Sequence, residues 1–449
     1  MVRNLSLIFF SIFVGALVAI LQVKTVILLF CGFFIFCISL LNMEKTILVV
    51  TVLRASFDLF RETARIGAGI GSLNITGFLS VLIICYGVVY FVFSKRPIKY
   101  LHLFSFLLCF LVVCFLSIFY SPAKIGAIEE VIRFLSYFTL AFLVGHIFNT
   151  KAKIVALIYA LCLSLIVPLS VGFYQLFAHA GYIYGNYNRL YGTLQHPSSY
   201  GKFLILFFVG SIVYLMSRKT KKEQILTNVI FPLVVCQIIF TFTRAVWVEC
   251  FLSMFILWRL TGKKLFLYFL MCGFFVFLVS PTLKGRFTEE IVSGYGGTVS
   301  NVSELKGSYK GRLTYNKFVL SEMFAVSPLI GKGIGSFYYF YAPTYFGLLH
   351  EVHGDFCKLL GETGLIGSFF FFLGFIKLLS FFVKQFYLSV DPFMRRTLLI
   401  VSCVMVLQLF GFFFDAELRL VTVQWYFWTI CGIGLACIDI NERELSRQV

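Results

Sequence analysis

The sequence predicts an all-α polytopic membrane protein with about 12 to 14 transmembrane helices and one long, partly helical extracytoplasmic loop. Apolar residues occupy 60% of the 449 positions and charged residues only 13%, whereas an ordinary soluble domain is about half apolar and about a quarter charged. The mean hydropathy of +0.94 agrees with this composition. Apolar stretches of roughly 20 residues, long enough to cross a bilayer as a helix, recur along the whole chain.

These apolar stretches define the predicted spans. The first follows Met1–Asn4 and resembles a signal peptide, but no small-residue cleavage site follows it, so we expect a retained helix. A weaker stretch near 45–59 is interrupted by Arg54 and Asp58. The predicted spans are 5–23, 26–42, 76–94, 101–120, 127–148, 155–177, 200–216, 225–242, 245–260, 264–281, 363–383, 398–414 and 420–438.

The apolar pattern divides the chain into four parts. Residues 1–180 and 363–449 are the N-terminal and C-terminal transmembrane helices, and residues 181–281 are transmembrane helices that carry candidate catalytic arginines. Residues 282–362 form the long extracytoplasmic loop, the only extramembrane segment large enough to fold over the membrane. A long loop of this kind is usually functional.

The net charge of +18 is explained by the membrane rather than by nucleic acid. Lysine and arginine cluster in short loops between apolar spans, and such loops face the cytoplasm. The predicted topology places these basic loops on one side of the membrane. They are residues 95–99, 218–222, 259–264 and 395–396 and the tail at 443–447. The opposite side carries residues 178–199, the turn around Arg244, the long loop and the turn at 415–419.

Several kinds of site are not expected from the sequence. The thirteen cysteines lie mostly in apolar spans and include no CxxC pair, which argues against zinc sites and disulfide frameworks. The outer side has no DxD, HExxH or clustered-acid motif, so we expect neither a metal site nor a cofactor. Residues 331–335 are glycine-rich but lack the strand–loop–helix context of a nucleotide-binding loop, and we interpret them as a turn.

Three arginines are predicted to lie on the outer side. They are Arg189, Arg244 and Arg312, the last closely followed by Tyr315. A guanidinium is always charged and binds phosphate through a planar fork of donors. Arg244 stands between two apolar spans with almost no loop around it, which is costly and therefore indicates function. The alternative is an interfacial arginine that reaches lipid headgroups.

His353 is the strongest candidate for proton transfer, because imidazole titrates near neutral pH. A surface histidine that caps the following helix is the alternative. His350 and His196 are further candidates for the same role. We expect a helix that begins near His353 and enters the membrane, and glycines at 364 and 367 would allow close packing. Three flanking acids are candidates for orienting the ring, namely Glu351, Asp355 and Glu362.

With these residues the chain resembles the superfamily of bacterial O-antigen ligases and O-antigen polymerases (Wzy). The ligase motif is histidine, then asparagine, serine or glutamine, nine residues, and Gly-x-x-Gly; His353 and Gly364…Gly367 fit its spacing, and Gly354 departs from it. The resemblance covers about residues 185–370. Three more segments are similar to the family: Arg189-Leu190-Tyr191-Gly192-Thr193 with His196-Pro197, Thr243-Arg244-Ala245, and Gly311-Arg312 leading to Pro328 and residues 331–335.

The resemblance implies a metal-independent, inverting glycosyltransferase of the GT-C type in the bacterial inner (cytoplasmic) membrane. Its donor would be a glycan on undecaprenyl diphosphate, presented at the periplasmic or outer face. Arg244 and Arg312 would contact the diphosphate, His353 would be the base on the acceptor hydroxyl, and Arg189 would be a supporting phosphate or sugar contact. We also predict substrate contacts for three further residues, His196, Asp355 and Tyr315.

The acceptor separates two readings within this family. A polymerase extends a lipid-linked repeat unit, whereas a ligase transfers the polymer to lipid A core. We favour a polymerase, because Gly354 departs from the ligase motif and the aromatic-rich stretch at 337–346, which begins Phe337-Tyr338-Tyr339-Phe340-Tyr341, can hold sugar. A flippase or transporter is disfavoured, since its charged sites would lie near the bilayer midplane. Membrane lipid and other polysaccharide-assembly proteins are the expected partners, and nucleic acid is not.

Overall fold

A computed structural model describes most of the chain. The described residues are 42–60, 66–68, 71–73, 75–94, 98–184, 187–217, 220–262, 309–347 and 351–445. The predicted spans at 5–23 and 264–281, nearly all of 26–42, and His350 lie outside these ranges, as does the first part of the long loop. Element labels below number the described elements in chain order.

The described residues form fourteen α-helices. These are α1 Met43–Leu53, α2 Ile75–Ser94, α3 Ser105–Ser117, α4 Lys124–Ile147, α5 Lys151–Leu163, α6 Ile166–Phe177, α7 Pro197–Leu215, α8 Lys221–Phe240, α9 Arg244–Thr261, α10 Tyr309–Phe318, α11 Ala342–Phe346, α12 Asp355–Leu388, α13 Pro392–Phe414 and α14 Val421–Leu445. Two hairpins accompany them, β1 Ile66–Ala68 with β2 Gly71–Leu73, and β3 Tyr182–Tyr184 with β4 Tyr187–Arg189. Short 3₁₀ helices cover Ser56–Phe60, Leu101–Phe104 and Glu417–Arg419, and π-helical turns cover Val319–Phe324 and Phe337–Tyr341.

The fold is that of an all-α polytopic membrane protein, as predicted. Among the described residues, six helical segments are long and apolar enough to cross a membrane. They are Lys151–Phe177, Pro197–Leu215, Glu223–Phe240, Asp355–Leu388, Pro392–Phe414 and Val421–Glu444. The weaker stretch predicted near 45–59 is interrupted at the predicted residues, because α1 ends at Leu53 and Arg54 pairs with Asp58 inside the protein at 3.1 Å. The span predicted at 363–383 begins earlier, at Asp355.

The basic segments meet at one end of the helical bundle. Lys151, at the start of α5, binds Asp391 at 2.8 Å and Glu444 at 3.3 Å. Lys99 likewise pairs with Asp439 of α14. We call this the basic end of the bundle and the opposite end the site end. The grouping agrees with the predicted topology, and the assignment of the basic end to the cytoplasm remains a prediction.

Close helix contacts through glycine hold the bundle together. A Cβ atom added to Gly432 of α14 would lie 2.6 Å from Val144 of α4, so these two helices approach closely. Trp428 of α14 is buried against Phe104 and Phe138, with ring centroids 6.2 and 5.0 Å away. This packing fixes α4 and α14, the second of which follows the loop that carries part of the site.

The loop before α12 is anchored to that helix at a kink. Gly364 has φ +66° and ψ −167° inside α12, and a Cβ there would collide with the backbone of Leu329. The carboxylate of Glu362 accepts hydrogen bonds from the N–H groups of Gly335 and Phe337, both at 3.0 Å. Residues 331–335 are therefore a turn, as predicted. Glu362 fixes this turn, so no described contact gives it the predicted role of orienting His353.

Candidate active site

The backbone at Gly354 places His353 at the start of α12. Gly354 is the residue before the helix and has φ +114° and ψ 99°, a conformation that L side chains rarely adopt. A Cβ atom there would also lie 3.1 Å from the carbonyl oxygen of Phe413. The departure from the ligase motif thus has a physical reason, since glycine lets the chain pass close to the end of α13.

Asp415 is the acid that faces His353. The Nδ1 atom of His353 lies 3.5 Å from Oδ1 of Asp415, and the two side chains are 19% and 13% exposed. The same Oδ1 accepts a hydrogen bond from the N–H of Ala416 at 3.0 Å, which fixes the carboxylate. A carboxylate at Nδ1 favours the tautomer that leaves Nε2 as the basic atom. The geometry therefore suits His353 to accept a proton through Nε2.

The surrounding charges keep Asp415 ionised. Burial alone would raise its pKa, but the hydrogen bond with His353 and the charges of Lys202 and Arg312 hold that pKa well below its usual range. Arg312, on α10, is thus within electrostatic range of the pair. The structure brings together two of the three residues predicted to be catalytic.

His196 also belongs to this group of charges. It precedes α7, where its Nδ1 accepts a hydrogen bond from the N–H of Ser198 at 3.2 Å. Although the residue keeps an exposed edge, partial removal from water, and then the charge of Arg189, lower its pKa to about 4; His353 and Arg312 act in the same direction. His196 is therefore neutral at physiological pH, and it lies beside the predicted base.

Arg189 holds the turn between α8 and α9. Its side chain is buried, and it donates to the carbonyl oxygen of Thr241 at 2.9 Å and to Oγ1 of Thr243 at 3.1 Å. This turn includes Phe242 at φ +48°, an uncommon conformation for a non-glycine residue. The guanidinium of Arg189 is therefore largely occupied by protein, which favours a supporting role over direct contact with a substrate.

Arg244 is the first residue of α9 and is half-buried. It follows directly after the turn that Arg189 holds, so its position depends on the hydrogen bonds of Arg189 to Thr241 and Thr243. The first N–H groups of a helix carry a partial positive charge, and anions bind there readily. Arg244 and the start of α9 together suit a phosphate.

Asp355 has a different role from the predicted substrate contact. The residue is fully buried. Its carboxylate accepts a hydrogen bond from the N–H of Leu418 at 2.9 Å, and its own N–H donates to the carbonyl oxygen of Asp415 at 3.3 Å. Asp355 therefore fastens the 415–419 loop to the start of α12 and so positions the acid that faces His353.

Tyr315 also differs from its predicted role. It is fully buried in a small hydrophobic cluster, with its ring perpendicular to that of Phe346 at 4.8 Å between centroids. Phe337, the first residue of the predicted sugar-binding stretch, lies buried in the same cluster. A buried ring leaves no surface for a substrate in this conformation, so Tyr315 packs α10 against the turn at 337–341.

A buried group of charges lies beneath the His353–Asp415 pair. Lys202 of α7 pairs with Glu249 of α9 and with Glu417 of the 415–419 loop, and all three residues are buried. One lysine thereby joins the helix that follows His196, the helix that begins at Arg244 and the loop that carries Asp415. Ion pairs this deep indicate function more than stability.

A second group of charges lies beside the first. Glu351 binds Lys358 of α12 at 3.1 Å and also pairs with Arg419. The guanidinium carbon of Arg419 lies 3.1 Å from the centre of the Tyr338 ring, and its Nη2 donates to the Tyr339 hydroxyl at 3.2 Å. Glu351 therefore orients Arg419 and the aromatic turn.

The sequence offered a signal for the residues that were missed. Asp415, Glu417 and Arg419 are charged residues in a short turn between two apolar spans, on the side already predicted for the site. Charges in so short a turn are costly unless they are paired. The sequence does not show which residues pair with these charges. Lys202, for example, pairs with Glu417 but looks in the sequence like an isolated charge within an apolar helix.

Among the described residues, no three histidine, cysteine, aspartate or glutamate side chains are close enough to hold a metal ion. Arginines and lysine supply the positive charge around His353. Metal independence of the reaction remains a prediction.

Residues 228–372 match the family model described as O-antigen ligase. The match confirms the resemblance to the O-antigen ligase and polymerase superfamily and implies a glycosyl-transfer role. No curated protein matches the chain.

The O-antigen ligase match covers only part of the site. It begins within α8 and ends within α12, so it includes Arg244, Arg312 and His353. Arg189 and Asp415 lie outside the matched residues, yet the structure places both in the same assembly. The site is therefore built from the matched residues together with β4, which precedes them, and the 415–419 loop, which follows them.

Proposed function

We propose that this protein transfers a glycan from undecaprenyl diphosphate to an acceptor hydroxyl during the synthesis of a surface polysaccharide. The observation that carries the proposal is the His353–Asp415 pair, at 3.5 Å and within electrostatic range of Arg312, at the membrane boundary of a domain that matches O-antigen ligases. A base beside fixed positive charges suits a reaction in which a hydroxyl attacks and a diphosphate leaves.

In the proposed reaction His353 accepts the proton of the acceptor hydroxyl through Nε2. The hydroxyl oxygen forms a bond to the anomeric carbon of the donor sugar while the bond from that carbon to the phosphate oxygen breaks. Asp415 stabilises the imidazolium that results. A single displacement inverts the anomeric configuration, and the proton later passes from His353 to solvent.

The arginines serve the leaving group. Arg312 and Arg244 neutralise the charge that grows on undecaprenyl diphosphate as it departs, and the N-terminus of α9 adds its dipole. Arg189 keeps Arg244 in place through Thr241 and Thr243. We propose that the basic end of the bundle faces the cytoplasm. The site lies at the opposite end, and we therefore place it on the outer face of the cytoplasmic membrane.

A repeat-unit polymerase is the favoured form of this function. Phe340 and Tyr345 are 39% and 61% exposed beside the aromatic turn at 337–341, and exposed rings offer apolar faces on which sugars stack. Gly354 no longer separates the two forms, because its backbone conformation accounts for the glycine. Ligation to lipid A core is the second candidate, and the description of the matched family favours it.

The decisive experiment is transfer by the purified protein from a synthetic undecaprenyl diphosphate-linked repeat unit. We expect His353→Ala and Arg312→Ala to reduce transfer by roughly 10²-fold or more, the range for loss of a general base or of an oxyanion-stabilising donor. Lys317→Ala is the matched control for Arg312, since it removes one exposed positive charge from the same helix. His102→Ala, at the basic end, is the control for His353.

Three outcomes would refute parts of the proposal. Full activity in a variant of His353 or Arg312 that folds normally would remove that residue's role. Transfer that requires lipid A core would replace the polymerase by a ligase. A cysteine engineered at exposed Lys317 should react with a membrane-impermeant maleimide in intact cells; protection of that cysteine would reverse the proposed topology.

A further inference from the structure

An apolar groove lies in the half of the bundle next to the basic end. It has a volume of about 140 Å³ and is formed by α5, α7, α8, α13 and α14, all of which belong to segments able to cross a membrane. Leu206, Phe207 and Ile230 are typical of its wall. Groove and candidate active site therefore lie toward opposite ends of the same helices.

Two threonine hydroxyls of the groove wall are satisfied within their own helices. Thr227 donates its hydroxyl to the carbonyl oxygen of Glu223 at 2.6 Å, and Thr397 donates to that of Phe393 at 3.0 Å. Glu223 itself accepts from the N–H of Thr220 at 2.8 Å, as part of the cap of α8. The wall is thus suited to a hydrocarbon chain.

Gly210 keeps the groove open. It lies in the middle of α7 and lines the groove, and a Cβ built there would meet no heavy atom of the described residues within 4 Å. Glycine inside a helix costs roughly 0.5–1 kcal/mol relative to alanine, and here no close helix contact explains it. A destabilising glycine that leaves the groove open is consistent with a groove that binds a ligand.

Two basic residues lie where the groove approaches the basic end of the bundle, and we call this part of the groove its mouth. The guanidinium carbon of Arg396 lies 5.3 Å from the centre of the ring of Tyr214, which forms part of the wall. Lys221 begins α8 at the same end, within the basic segment 218–222 that links α7 to α8. Glu223 is the acidic residue of the lining, and its carboxylate caps α8. The balance of charge at the mouth is positive and complements an anionic headgroup.

We propose that this groove binds part of one acyl chain of an anionic phospholipid, with the lipid phosphate on Arg396. Basic pockets between transmembrane helices on the cytoplasmic side recognise anionic headgroups in this way. The undecaprenyl diphosphate donor fits less well, because its phosphates belong to the opposite end of the bundle. The lipid site does not depend on the proposed glycosyltransferase reaction.

The proposal gives the lipid a structural consequence. The groove is lined by α7, which begins directly after His196, and by α13, which ends directly before Asp415. A bound acyl chain would fill the space between these helices near the basic end. We expect the lipid to raise the melting temperature of the protein, because it binds the folded state only.

Native mass spectrometry can test the site directly. The delipidated protein is mixed with phosphatidylglycerol or with phosphatidylcholine, and the lipid retained per chain is counted. We expect one phosphatidylglycerol on the wild type and about tenfold weaker retention by Arg396→Gln, the size expected for one charge-assisted hydrogen bond. Gly210→Leu should abolish retention by filling the groove.

Arg395→Gln is the matched control. It removes the same charge from the neighbouring position, where the guanidinium is exposed and stacks on Phe386 rather than on the groove wall. It should retain phosphatidylglycerol like the wild type. Equal loss in both arginine variants, equal retention of phosphatidylcholine, or retention by Gly210→Leu would overturn the proposal. A wild-type protein that retains no lipid would also overturn it, and this is the result expected if other residues of the protein fill the groove. Melting curves without lipid confirm that each variant is folded.

Discussion

Asp415 and His353 face each other at 3.5 Å across the junction between the end of α13 and the start of α12. Asp355 fixes this junction, since it binds the 415–419 loop through the N–H of Leu418. The proposed base therefore sits in a frame made by two helix ends. Small changes in that frame should alter the transfer rate more than donor binding, because the arginines of the site belong to other elements, namely β4, α9 and α10.

The first prediction concerns Asp415→Asn. An amide keeps the shape of the side chain but cannot stabilise an imidazolium, so we expect kcat for glycan transfer to fall by roughly 10²-fold or more. The KM for the donor should change little. Asp391→Asn is the control, because it neutralises an acid at the other end of α13 and preserves its helix cap. Equal kcat in wild type and Asp415→Asn would contradict the assigned role.

The second prediction concerns Gly354→Asn, which introduces a residue that the ligase motif allows. The positive φ and the nearby Phe413 carbonyl should make this change destabilising by about 1–3 kcal/mol. Thermal melting of the purified protein measures the effect. Gly347→Asn is the control, since Gly347 has φ +68° and open space around its Cβ position, and asparagine tolerates that conformation. A stable Gly354→Asn protein would contradict the backbone explanation.

The third prediction concerns Arg189→Lys. Lysine keeps the charge but cannot donate from two nitrogens to Thr241 and Thr243 at once. We expect loss of activity through a displaced Arg244. In a double-mutant cycle, Arg189→Lys should have much less effect in an Arg244→Ala background than in the wild type. Purely additive losses in kcat/KM would show that Arg189 acts independently.

The fourth prediction uses the lowered pKa of His196. The folded protein binds a proton there only near pH 4, whereas an unfolded histidine does so near pH 6.5. Between these two pH values the unfolded state therefore binds more protons than the folded state. The contribution of His196 to the free energy of unfolding is thus fully present above about pH 6.5 and declines as the pH falls toward 4. His196→Asn retains a helix-capping residue but removes the titration. Its melting temperature should fall less between pH 7 and pH 5 than that of the wild type.

The control for this pH effect is His102→Asn, a change to an exposed histidine at the basic end. That variant should keep the pH dependence of the wild type. If His196→Asn and the wild type lose equal stability on acidification, the titration of His196 does not contribute.

Apolar length and basic loops were enough to predict the all-α membrane fold of the described residues and to place Arg189, Arg312 and His353 on the same side of it. Both follow from general requirements of the bilayer, namely about 20 apolar residues per span and positive loops on one side. The predicted spans at 127–148 and 200–216 lie within three residues of the starts and ends of α4 and α7.

Side-chain direction is what the sequence did not reveal. Asp355 and Tyr315 are predicted substrate contacts, yet both are fully buried. Glu351 and Glu362 were nearer in sequence to His353 than Asp415, but each binds another partner. The orienting acid comes from a different helix end, and only the packing of α12 on α13 identifies it.

The last prediction concerns Lys202→Met. This change leaves Glu249 and Glu417 buried without their cation, and such a loss typically costs about 3–5 kcal/mol. Thermal melting should therefore show a strong decrease in stability. The triple variant with Glu249→Gln and Glu417→Gln removes both stranded charges and should recover most of it. Its transfer activity should remain low, because Asp415 then lacks the charge of Lys202. A single variant as stable as the wild type, or a fully active triple variant, would show that Lys202 does not support the His353–Asp415 pair.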